Sequence, residues 1–133
     1  MKTRLLILAA ALMVLTSLPV AAGDFSGDVT MVTTYVWRGV KQFDGAAMQG
    51  TAAYTTGPLT VGIWTSSMDN GIAVETDPFV EAAFSAGPVD LAVGSVIYSY
   101  DFFEMPGSVY ELYGAAGLGA FSAAFYYTPS QEN

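Results

Sequence analysis

Three carboxylates, Glu75, Asp77 and Glu81, stand at i, i+2 and i+6 of one extended segment, so a strand would set all three on the same face. Carboxylates paired in this way can do general acid–base work. The rest of the chain gives them little support. It has no histidine and no cysteine, which excludes Ser-His-Asp and Cys-His nucleophilic catalysis and ordinary zinc sites. Asp69-Asn70-Gly71 carries oxygen ligands for calcium but falls short of a loop that encloses the ion, and a plain turn is the simpler reading. No glycine-rich segment has phosphate-loop spacing. The residues therefore predict neither an enzyme nor a bound cofactor or metal, and the acids read more simply as the lining of a wetted wall. Arg38, beside Trp37, has two readings. Its stem can lie along apolar surface with the guanidinium at a rim, or it can reach Glu75, Asp77, Glu81 or Glu111 and shape a constriction.

The elements that would position these residues begin after a leader. Lys2 and Arg4 precede an uncharged apolar run of 11 to 14 residues, short of the ~20 a spanning helix needs. Leu18-Pro19 breaks the run, and Val20-Ala21-Ala22 supplies the small residues that a signal peptidase reads. Residues 1–22 are thus expected to be a secretory signal peptide, with residues 23–133 as the mature domain. In that domain twelve acids face only Arg38 and Lys41, a net charge of −10. Such a chain repels phosphates and is a poor nucleic-acid binder. Without cysteine, an exported chain has no disulfide framework. A closed barrel needs none, because its backbone hydrogen bonds are satisfied between strands.

Gly57, Gly87 and Gly117 lie 30 residues apart and predict tight turns, with longer polar stretches at 68–73 and 101–108 between them. Segments of about ten residues with period-two alternation run from break to break. Seven strands are expected, over 25–38, 46–56, 59–67, 74–86, 89–100, 109–117 and 121–128, with a hairpin signal at Asp44-Gly45. On the first strand Phe25, Val29, Met31, Tyr35 and Trp37 oppose Asp28, Thr30, Thr34 and Arg38. On the fourth, Val80, Ala82 and Phe84 oppose Glu75, Asp77 and Glu81. Val89, Leu91, Val93 and Ile97 likewise oppose Asp90 on the fifth, and Leu112 opposes Glu111 on the sixth. Pro78 lacks a ladder donor and predicts a bulge or a rim position.

Alternation alone fits a soluble sandwich and a membrane barrel equally. Three features favour the barrel. The polar faces carry acids, tyrosines and small residues with almost no lysine, unlike a solvated exterior. Aromatics gather near both strand ends, as two membrane interfaces select. Ten residues at ~3.4 Å, tilted ~45°, cover roughly 24 Å, which matches an apolar band of about 25 Å. The expected fold class is all-β: an antiparallel up-and-down transmembrane β-barrel of about seven strands. Its interior would be lined by Asp28, Arg38, Glu75, Asp77, Glu81, Asp90 and Glu111.

The run Thr34-Tyr35-Val36-Trp37-Arg38-Gly39-Val40-Lys41-Gln42-Phe43-Asp44-Gly45, followed by Met48-Gln49-Gly50, resembles the opening of the TorF family of porins. Gly62-Ile63-Trp64-Thr65-Ser66, Glu75-Thr76-Asp77, Tyr110-Glu111-Leu112-Tyr113-Gly114 and Phe121-Ser122-Ala123-Ala124-Phe125-Tyr126-Tyr127 are similar to later segments of that family, so the resemblance runs from Phe25 to Thr128. It implies a Gram-negative outer-membrane porin, inserted in the lipid bilayer by the barrel-assembly machinery and passing small polar solutes. Family members are longer. Bacterial single-chain barrels have even strand numbers of at least eight, so seven strands without a terminal aromatic predict the N-terminal part of a larger barrel, or one that closes by association. The alternatives are a non-conducting structural or adhesive barrel in the same membrane, and a soluble periplasmic β-sandwich or lipid-binding barrel.

Overall fold

The computed structural model describes residues 23–68, 73–100 and 108–129. The leader and the Asp69-Asn70-Gly71 turn lie outside them. The described residues contain strands and no helix. They are β1 (Asp24–Val32), β2 (Val36–Trp37), β3 (Val40–Lys41), β4 (Ala47–Thr56), β5 (Leu59–Met68), β6 (Ala73–Ala86), β7 (Val89–Tyr98), β8 (Val109–Leu118) and β9 (Phe121–Tyr127). Seven of them form one antiparallel sheet in the order β1-β4-β5-β6-β7-β8-β9, so each strand pairs with its neighbours in the chain, apart from the β2–β3 insertion. Among the described residues β1 is paired only by β4, and β9 only by β8.

Three of the connections within the seven-stranded sheet are two-residue hairpins. Thr56 pairs with Leu59, Ala86 with Val89 and Leu118 with Phe121. In each turn the first central residue, Gly57, Gly87 or Gly119, has positive φ and the second does not, as in a type II′ turn. The third turn is therefore built on Gly119 and not on Gly117. Gly117 lies within β8 opposite Ser122, which lengthens the last interval from the expected spacing.

The expected first strand is also corrected. It stops at Val32, and residues 36–41 form a separate two-stranded sheet in which Trp37 pairs with Val40. Arg38 and Gly39 between them both have positive φ, the arrangement of a type I′ turn. Tyr35 and Trp37 consequently do not continue the apolar face of Phe25, Val29 and Met31.

Pro78 produces no bulge. The register is the same on either side of it, with Phe79 opposite Val96 and Glu75 opposite Tyr100. What changes is the ladder. Thr76 donates its amide to the Ser99 carbonyl, so the backbone nitrogen two residues on also faces β7, and there proline has no hydrogen to give. The β6–β7 ladder is interrupted at that point.

The two faces of the sheet differ sharply in content. Phe25, Val29, Met31, Phe84, Val93, Leu118, Phe121 and Phe125 are exposed on one face, up to 86% for Phe25. The buried residues are mainly polar: Ser66, Glu75, Thr76, Asp77, Ser99 and Glu111, with Tyr35 and Ala47 as the buried apolar residues among those described.

Candidate functional site at the long-loop end

The β2–β3 hairpin lies across the polar face and reaches successive strands of the sheet. Tyr35 packs its ring on Trp64 of β5, with centroids 5.6 Å apart. Trp37 meets Tyr98 of β7 edge-on at 6.0 Å. Arg38 extends to β8 and β9. Three residues thus bridge from β5 to β9.

Arg38 makes the central contact. Its Nη2 donates to Glu111 Oε1 at 2.7 Å and its Nη1 to Oε2 at 3.0 Å, a bidentate fork. The guanidinium carbon lies 3.5 Å from the Tyr126 ring centroid and 4.6 Å from that of Trp37, both within cation–π range. Tyr98 Oη donates to the same Glu111 Oε1 at 2.9 Å. The carboxylate bond holds the Arg38 guanidinium above its already high ordinary pKa. Of the two sequence readings of Arg38, pairing with an acid is the one observed, and the acid is Glu111. The packing on Trp37 belongs to the same arrangement.

Glu75 and Asp77 lie beside this clamp, 2% and 4% exposed. Glu75 accepts hydrogen bonds from Tyr35 and Tyr100. Burial, followed by the Glu75 carboxylate, raises the Tyr35 phenol above its ordinary value and raises that of Tyr100 to about 12, so both remain protonated donors. Asp77 Oδ1 accepts the Ser99 amide at 3.2 Å. The amide of Ser99 thus finds a side-chain acceptor next to the break that Pro78 leaves in the ladder.

Glu81 stands one row below Glu111, toward the short turns. Thr60, Glu81, Gly94, Tyr113 and Tyr126 are aligned across β5 to β9. Tyr113 lays its ring over Gly94 and donates to Glu81 Oε2 at 2.7 Å. A Cβ on Gly94 would collide with that ring, so glycine is what lets a side chain on β8 reach one on β6. The other two expected residues are elsewhere. Asp90, near the short turns, is exposed and accepts from Ser85 Oγ at 2.7 Å. Asp28 is exposed on β1, opposite Thr51.

The structure therefore brings Arg38 and Glu111 into contact, sets Glu75, Asp77 and Glu81 near them, and leaves Asp28 and Asp90 apart. A cavity of about 300 Å³ opens on this cluster, lined by Trp37, Arg38, Trp64, Asp77, Glu111 and Tyr126 among others. Sequence reasoning did not single out the tyrosine donors Tyr98 and Tyr113, or Phe79 and Val96, which line the cavity on the polar face. The face parity of Tyr98 and Tyr113 with the acids was the available signal. A scan of family models, a search of curated proteins and a search of solved structures each return no match.

Proposed function

We propose that the seven-stranded sheet forms the wall of an outer-membrane β-barrel that passes small polar solutes. The apolar face meets lipid, and the face with the acids lines an aqueous interior. The observation that carries this reading is the inversion of polarity. Large apolar side chains stand exposed along most strands, whereas carboxylates are buried against tyrosines on the opposite face. A water-soluble sheet buries its apolar face, because each exposed apolar Å² costs about 25 cal/mol. In lipid that cost vanishes and the polar face turns inward. β4, β5, β7 and β8 each have 10 residues, which suits the thickness of the apolar band.

The signal sequence, the aromatic strand ends and the resemblance to TorF porins support the same placement. Assembly then depends on the barrel-assembly machinery and the bilayer. Asp28, Glu75, Asp77, Glu81, Asp90 and Glu111 outweigh Arg38 on the interior face, so the path favours cations. In planar bilayers under a salt gradient, the folded protein should pass current with a cation-selective reversal potential. Folded, inserted protein that leaves the bilayer silent would refute the transport reading.

A further inference from the structure

We infer that Arg38 is a tethered occupant of a cation site, and that Glu111, Tyr126 and Trp37 form a receptor for guanidinium-type and small organic ammonium solutes. The inference deepens the transport reading by naming a solute class for the same site, and it relies on that reading only for the route by which the solute arrives.

Three observations support it. The first is chemical. Glu111 presents both carboxylate oxygens to one planar cation, and Tyr126 and Trp37 present ring faces to it. A carboxylate fork with aromatic faces is the set that recognises delocalised or alkylated cations, which shed water more readily than an alkali ion. The second is conformational. Arg38 has φ 47, in the left-handed region, at the first central position of a type I′ turn, where asparagine, aspartate and glycine are preferred. An arginine held there places a cation at the tip of the hairpin at the expense of backbone ease, and such outliers cluster at functional sites.

The third observation concerns attachment. The backbone ladder of β2 runs only to β3, among the described residues. The hairpin is held on the face by Tyr35, Trp37 and Arg38 through side-chain contacts. A solute cation can therefore take the place of Arg38 on Glu111 without breaking the main sheet, and the adjoining cavity of about 300 Å³ gives it room to enter.

A site occupied by its own tether binds free ligand more weakly, in proportion to the fraction of time it stands open. Removing the tether should therefore strengthen binding. Trp37 is one of two tryptophans, so the full chain carrying Trp64→Phe, folded in detergent micelles, reports the site through Trp37 fluorescence alone. Methylguanidinium is the probe and neutral methylurea its control. Arg38→Ala should bind methylguanidinium at least about tenfold more tightly than the Arg38 protein. Glu111→Gln added to Arg38→Ala should abolish that binding. Tyr126→Leu added to Arg38→Ala should weaken it severalfold and tests the ring independently of the carboxylate. Equal affinity with and without Arg38, an equal response to methylurea, or indifference to both Glu111→Gln and Tyr126→Leu would overturn the inference. Planar-bilayer recordings of the same proteins separate the two claims. Silent bilayers with the expected binding pattern refute transport and uphold the site, whereas conduction without the binding pattern refutes the site alone.

Discussion

The polar face has two ends that use similar residues differently. Toward the long loops, Glu75, Asp77 and Glu111 are buried under the β2–β3 hairpin, and each takes hydrogen bonds from tyrosines or a backbone amide. Toward the short turns, Asp90 is exposed with Ser85 as its neighbour. Between them Ala83, Ala92, Ala115 and Ala124 form a row of small side chains across β6 to β9. An acid on this face thus owes its environment to whether something folds over it. The strand pattern supplies the face, and the hairpin makes one end a site while the alanine row leaves the other open.

That contrast can be tested by removing side chains at both ends. Glu111→Ala should have the largest effect. It removes the fork to Arg38 and the Tyr98 bond, at about 2 kcal/mol in denaturant unfolding from vesicles. The cost falls short of the ~3–5 kcal/mol of a fully buried pair because the Arg38 side chain is 36% exposed and can turn to water. Tyr113→Phe, at the border between the two ends, should cost about 1 kcal/mol, the worth of one hydrogen bond to a carboxylate that keeps some solvent. Asp90→Ala should stay within about 0.5 kcal/mol, as expected of an exposed residue. An Asp90→Ala cost equal to that of Glu111→Ala would erase the distinction between the ends.

Much of the sheet was legible in the sequence. Alternation of period two, punctuated by Gly57-Pro58 and Gly87-Pro88, places six of the seven main strands within about two residues of their observed bounds, because side-chain parity and turn glycines are local signals. The expected first strand runs too far because Tyr35 and Trp37 keep the parity of Phe25, Val29 and Met31, even though Val32, Thr33 and Val36 break the alternation. The hairpin signal there is Arg38-Gly39, an unusual pair for a type I′ turn. The shared face of Glu75, Asp77 and Glu81 was likewise readable. The choice of Glu111 as the partner of Arg38 was not, since the four candidates Glu75, Asp77, Glu81 and Glu111 share one face and only where the hairpin lies across the sheet decides which one its tip meets. Gly117 and Gly119 differ in which one takes positive φ, and that depends on the pairing of Leu118 with Phe121.

If the apolar face meets lipid and the polar face meets water, single cysteines on the two faces should differ in their access to an aqueous reagent. The chain has no cysteine, so single cysteines can be introduced without background. Val93 and Ala92 are adjacent on β7 and point to opposite faces. Val93→Cys and Ala92→Cys should be compared in vesicles for reaction with a membrane-impermeant maleimide. The cysteine at position 92, in the open alanine row, should react readily, and the one at position 93 should be shielded by lipid. Rapid labelling at position 93 with shielding at 92 would mean that the apolar face meets water and would refute the lipid-facing placement.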